Sequence, residues 1–113
     1  MPLDVDALQA RLRAFAAERQ WQPFHTPKNL AMALMVEAAE LTEIFQWMTP
    51  EQSLAVRDDP ALTEPIADEV ADVLLYLLQL ADHAGVDLAQ AVENKLRKNA
   101  VKHPVPDGGL KQK

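Results

Sequence analysis

The strongest hydrophobic pattern in the chain is LAMALMVEAAELTEIFQWM, residues 30–48. At helical spacing Leu30, Leu34, Glu37, Leu41, Ile44 and Met48 fall on one stripe, apolar except for the carboxylate in its middle. Glu40 lies one turn further on, beside the same stripe, with Ala33, Val36 and Trp47 along its edge. A second run, IADEVADVLLYLLQLA at residues 66–81, repeats the arrangement: Glu69 and Asp72 are again three apart, flanked by Ile66, Val73, Tyr76 and Leu80. A lone carboxylate on an apolar face must be hydrogen-bonded, paired, protonated or bound to a metal. Two helices that each turn a carboxylate pair toward an apolar face point to one shared cation site.

The remaining elements follow from caps and breakers. Asp4 caps a first helix from Val5 to about Arg19, with Leu8, Leu12, Phe15 and Ala16 as its apolar stripe. QWQPFHT, residues 20–26, breaks the period, and its Trp21, Phe24 and His25 make an unusually aromatic connector. Thr26-Pro27 reads as N-cap and first helical position, so the second helix runs from there to about Met48, where Thr49-Pro50 stops it. Residues 50–62 carry only a weak pattern, with room for a short helix. The next helix starts at either Asp59-Pro60 or Thr63-Glu64-Pro65 and ends near His83, with Gly85 as the residue that closes it. Asp87, with Gln90 three residues on, opens the last helix, which reaches about Val101. The expectation is an all-α, four-helix bundle over residues 1–104, with a flexible tail over residues 105–113.

Charge sharpens this picture. Residues 1–94 hold sixteen acids against five Lys and Arg, whereas residues 95–113 hold six Lys and Arg against one Asp. The net charge of −6 argues against a general nucleic-acid binder. With no cysteine there are neither disulfides nor thiolate metal sites. No apolar run can span a bilayer and the first residues lack a signal-peptide pattern, so a soluble cytoplasmic protein is expected, without membrane contact. From Val73 to Ala81 only Tyr76 and Gln79 are polar. Four short helices cannot easily surround such a segment, and a second copy of the chain is the natural cover.

Residues three apart on a helix are neighbours, so Glu37 with Glu40 and Glu69 with Asp72 can each present two carboxylates to one point. Oxygen ligands without histidine or thiolate suit Mg2+, with Mn2+ as a substitute, rather than Zn2+. The Glu-x-x-His pairing of di-iron bundles is missing.

Three separated motifs, FHTPKNLAMALMVEAAELTEIFQW, ADEVADVLLYLLQLA and ENKLRKNAVKHP, together resemble the all-α nucleoside triphosphate pyrophosphohydrolases of the MazG-like superfamily, most nearly its dCTP pyrophosphatase branch. The resemblance covers roughly residues 18–104. It implies hydrolysis of a nucleoside triphosphate, dCTP or a modified dCTP, to monophosphate and pyrophosphate, by a dimer or a dimer of dimers. It implies Mg2+ held by Glu37, Glu40, Glu69 and Asp72, and a base and sugar pocket lined by Trp21, His25 and Trp47. Tyr76, Lys95 and Asn99 match its triphosphate and sugar contacts, with Lys95 also stabilising developing charge. Many relatives carry two adjacent glutamates where Val36-Glu37 stands here, so the number of metal ions is left open, as are the choice of Glu37 or Glu40 as general base and of α or β phosphorus as target. Glu43 is expected at the surface or behind the ligands. The alternative is a catalytically silent helical dimer serving as a binding or regulatory module.

Overall fold

The computed structural model describes residues 2–106, and every regular element in it is helical. The helices are α1 (Val5–Glu18), α2 (Pro27–Phe45), α3 (Pro50–Leu54), α4 (Pro60–His83) and α5 (Leu88–Lys102). Single 3-10 turns at Gln22–Phe24 and Ala55–Asp58 complete the connections. The sequence pattern predicts four helices with room for a short one over residues 50–62, and among the described residues there are five. The extra one, α3, is too short to show a hydrophobic period and is held by local chemistry instead. Thr49 Oγ1 accepts from the Gln52 amide at 3.1 Å while the Thr49 amide donates to Gln52 Oε1 at 2.9 Å, a reciprocal box that satisfies two otherwise orphan donors.

The other starts are set by caps as well. Asp4, Thr26, Asp59 and Asp87 each accept a backbone amide from the first turn of the helix that follows. Of the two candidate starts for α4, Pro60 is the one used, which leaves Pro65 inside the helix. Gln90 does not reach back to its cap; its amide donates forward to Asn94 at 3.0 Å.

Two helix ends close in the same way. After α4, Gly85 takes φ +70°, and the Val86 amide donates back to Ala81 O at 2.9 Å. After α1, Gln20 takes φ +57°, and the Trp21 amide donates back to Ala16 O at 2.9 Å. Glycine adopts this left-handed conformation freely, whereas a residue with a Cβ holds it at a cost of about 1–2 kcal/mol.

α2 and α4 form the central pair and run antiparallel. The end of α2 at Glu43 and Ile44 meets the start of α4 at Pro65 and Asp68, while His25, just before α2, lies beside His83 at the end of α4. α1 packs across α4, tied by Gln9 Nε2 to Leu78 O at 2.9 Å and by an Arg13–Asp82 ion pair at 2.7 Å. Among the described residues, Ala16, Leu30, Leu78 and Ala81 are the only fully buried ones. The radius of gyration is 17.6 Å, against about 13 Å for a compact chain of this length. Met32, Met35 and Val36 on α2, Val70 and Leu77 on α4, and Val92, Leu96 and Val101 on α5 all face water. Among the described residues, no helix is long and apolar enough to cross a membrane.

Candidate active site

The antiparallel α2–α4 pairing brings the two acidic motifs together. One carboxylate oxygen from each of Glu37, Glu40 and Glu69 lies within 4.8 Å of the others. Glu37 Oε2 and Glu69 Oε2 are shut off from water and accept from no donor among the described residues. A buried carboxylate oxygen without a partner is costly unless a proton or cation meets it. The surroundings act accordingly. Glu37 holds its proton above the usual carboxylate range, first because one proton shared with Glu69 replaces a repulsion by a hydrogen bond, then through burial and the charge of Asp72. Glu40 is raised too, chiefly by the same kind of contact with Glu37 and by the Glu37 charge. No basic side chain neutralises the cluster: the ion pairs among the described residues are Arg13–Asp82 and Arg19–Glu18. Three convergent carboxylates, two of them carrying an orphaned oxygen, fit a divalent cation such as Mg2+ or Mn2+.

Asp72 stands apart from these three oxygens. One turn along α4 from Glu69, it lines an adjoining cavity of about 160 Å3 together with Phe15, Trp21, His25, Tyr76 and Gln79. The aromatic connector builds one wall of this chamber. The Trp21 ring packs edge-on against Phe15 with centroids 5.7 Å apart, and His25 tilts against Trp21 at 6.0 Å. The Arg19 guanidinium lies 3.4 Å over the Phe15 ring and donates to Phe15 O at 3.0 Å, anchoring the stack from outside. Asn29 Nδ2 donates to Phe24 O at 3.0 Å, which ties the turn to the first coil of α2. A second cavity of about 250 Å3 continues past His25 and Gln79 to the Arg13–Asp82 pair and His83.

Of the ten residues singled out in the sequence, the structure thus brings Glu37, Glu40 and Glu69 to one point and Trp21, His25, Asp72 and Tyr76 to the chamber beside it. It does not bring Trp47, Lys95 or Asn99 there within one chain. Trp47 follows the far end of α2 from His25, and nineteen helical residues span about 28 Å. The residue is 88 % exposed. Lys95 and Asn99 lie on α5, whose first turns line a cavity with the start of α1, and neither lines the aromatic chamber or the cleft beside Glu40 and Glu69. Glu43 lines an outer cleft with Glu40, Asp68 and Glu69, and its charge helps to raise Glu40. Asp68 and Gln79 are the residues that motif spacing passed over. Gln79 left a signal, as one of two polar positions in the apolar core of α4.

Comparison with known proteins places these features in company. The profile of the MazG-like family matches residues 32–113. The dCTP pyrophosphatase 1 of Mus musculus is 44% identical over 102 residues, 90% of this chain, and that of Homo sapiens is 43% identical over 101 residues, 89% of this chain. The chain spans 58% of the length of each of these relatives. The crystal structure of a pyrophosphatase from Archaeoglobus fulgidus superposes with a TM-score of 0.83 at 39% identity, covering 93% of this chain and 96% of that one.

Proposed function

The chain belongs to the MazG-like family, and on that premise we propose that it is a divalent-metal-dependent nucleoside triphosphate pyrophosphohydrolase. Its substrate is a deoxynucleoside triphosphate, dCTP or a modified dCTP, converted to the monophosphate and pyrophosphate in cytoplasmic nucleotide-pool housekeeping. The observation that carries this reading is the juxtaposition of two unlike sites: three converging carboxylates with orphaned oxygens, and an aromatic chamber joined to them through Asp72. The names of the relatives, dCTP pyrophosphatase 1 and a pyrophosphatase, support the substrate class.

Glu37, Glu40 and Glu69 hold the cation, Mg2+ or Mn2+, with Asp72 able to join them from the chamber side. When bound, that cation supplies neutralisation of the triphosphate charge and Lewis acidity. Trp21 stacks on the base, which buries a π face against a ring already fixed by Phe15. His25 and Tyr76 offer directional hydrogen bonds to base or sugar. Either Glu37 or Glu40 accepts a proton from the attacking water. The water oxygen bonds to phosphorus, the α–β bridging P–O bond breaks, and its electron pair leaves with the departing phosphate. Attack at the α or the β phosphorus breaks the same bridge and gives the same products.

Trp47, Lys95 and Asn99 enter this scheme from a second copy of the chain. The exposed apolar residues of α2, α4 and α5 provide the face on which such a dimer, or a dimer of dimers, would close. Lys95 then meets the charge that develops on the bridging oxygen and pyrophosphate. The decisive experiment measures phosphate released from a panel of deoxynucleoside triphosphates with added inorganic pyrophosphatase, with and without Mg2+. Release of pyrophosphate that depends on the metal is expected. Its absence from every nucleotide in the panel would overturn the reading.

A further inference from the structure

Gln79 is half-buried in α4 and lines both cavities at the place where they meet. Its Nε2 donates to Leu75 O, one turn back on its own helix, at 3.0 Å. That bond fixes which end of the amide faces the backbone, because the opposite orientation would set two carbonyl oxygens against each other. Oε1 is therefore turned away from the Leu75 carbonyl, and no donor among the described residues reaches it. The chamber's other polar groups are a carboxylate (Asp72), a phenol (Tyr76), an imidazole (His25) and the donor-only indole of Trp21. The amide is the one neutral group there whose orientation is held by the main chain.

We propose that Gln79 is the specificity residue for the base, its tethered Oε1 accepting from the exocyclic amino group of cytosine. The inference rests on the reading of the chamber as a base pocket and adds the residue that tells one pyrimidine from another. Cytosine carries an amino donor where uracil and thymine carry a carbonyl oxygen. A tethered acceptor attracts the first and repels the second, and a site built to hydrogen-bond one group rejects the analogue that lacks it more strongly than an apolar pocket rejects a change of one methylene. The chamber, at about 160 Å3, is smaller than a usual ligand pocket, which suits a single ring.

The test compares kcat/KM for dCTP and dUTP, and binding of dCMP and dUMP followed by tryptophan fluorescence, in wild type and in Gln79→Met and Gln79→Leu. Each ratio is taken on one preparation, so partial misfolding of a variant cancels. Wild type should favour the cytosine nucleotide by at least about tenfold, and both variants should lose about tenfold of that preference in turnover and in binding alike. A variant that weakens both nucleotides equally, or a wild type that prefers dUTP or shows no preference, overturns the inference. Wild type that binds dCMP over dUMP but releases no pyrophosphate removes the catalytic reading, and the binding ratios then decide the role of Gln79 by themselves.

Discussion

The carboxylate seam and the aromatic chamber both draw on α4, yet they are built on opposite principles. In the seam, Glu37, Glu40 and Glu69 face one another without a cation from the protein, and two of their oxygens are orphaned. In the chamber, Phe15, Trp21 and His25 already pack ring against ring, and the Gln79 amide is tied to the backbone. The chamber is preorganised, so a base entering it spends little on ordering side chains. The seam is frustrated, and its repulsion is relieved only by something from outside. One site recognises by fit, and the other by an unmet charge.

The sharpest way to break this contrast is to discharge the seam. Glu37→Gln should lower kcat/KM by about a hundredfold or more, since residues that merely orient metal ligands already cost about 10- to 100-fold. Its metal-free melting temperature should hold or rise, because one repelling charge has gone. A sharp fall in metal-free melting temperature would instead make Glu37 a structural partner.

Much of this seam was legible in the sequence. The two carboxylate pairs interrupt apolar stripes, and caps at Asp4, Thr26 and Asp87 with Gly85 as closer define three helices and the end of a fourth. What spacing leaves open is how two helices cross. Spacing treats Glu37, Glu40, Glu69 and Asp72 as equals, whereas the α2–α4 register gathers three and turns Asp72 to the neighbouring cavity. The position of Trp47 is a different case. Within one chain a helix of that length separates it from His25, and motif spacing does not say whether two residues of a pocket belong to the same copy. The sequence leaves no more than room for α3, because five residues are too few to show a period, although Thr49 and Gln52 spell its capping box.

A smaller effect probes the chamber. Trp21→Ala should weaken every nucleotide by an amount corresponding to about 1–3 kcal/mol, the worth of one stacked base, and leave the ranking of bases alone. His25→Ala should reduce kcat/KM more for the preferred nucleotide than for the others. Parallel losses across dCTP, dTTP, dUTP, dATP and dGTP in both variants would show that His25 reads nothing.

The smallest expected effect lies in pH. Glu37 and Glu40 bind protons more tightly in the folded chain than at their usual value of 4.5. The native state therefore takes up protons before the unfolded one as pH falls through the raised values, and these two groups then favour folding. That contribution is complete once pH reaches the ordinary carboxylate range and is lost on the way up. Without metal, Glu37→Gln should melt above wild type at about pH 8 and converge with it near about pH 5, a difference of roughly a few degrees at most. Differential scanning calorimetry in a chelator at both pH values checks it, and added Mg2+ should erase the advantage of the variant.

The closure of α1 has a consequence for motion. Gln20 holds its left-handed turn against its own side chain, and the bond that locks the turn is donated by the amide of Trp21 itself. The ring that walls the chamber is thus hung on the last coil of α1, and any fraying of that coil carries the ring away with it. Breathing of one helix terminus and opening of the chamber are a single event, and the Trp21 amide should exchange its hydrogen with solvent at the frequency with which the base pocket opens.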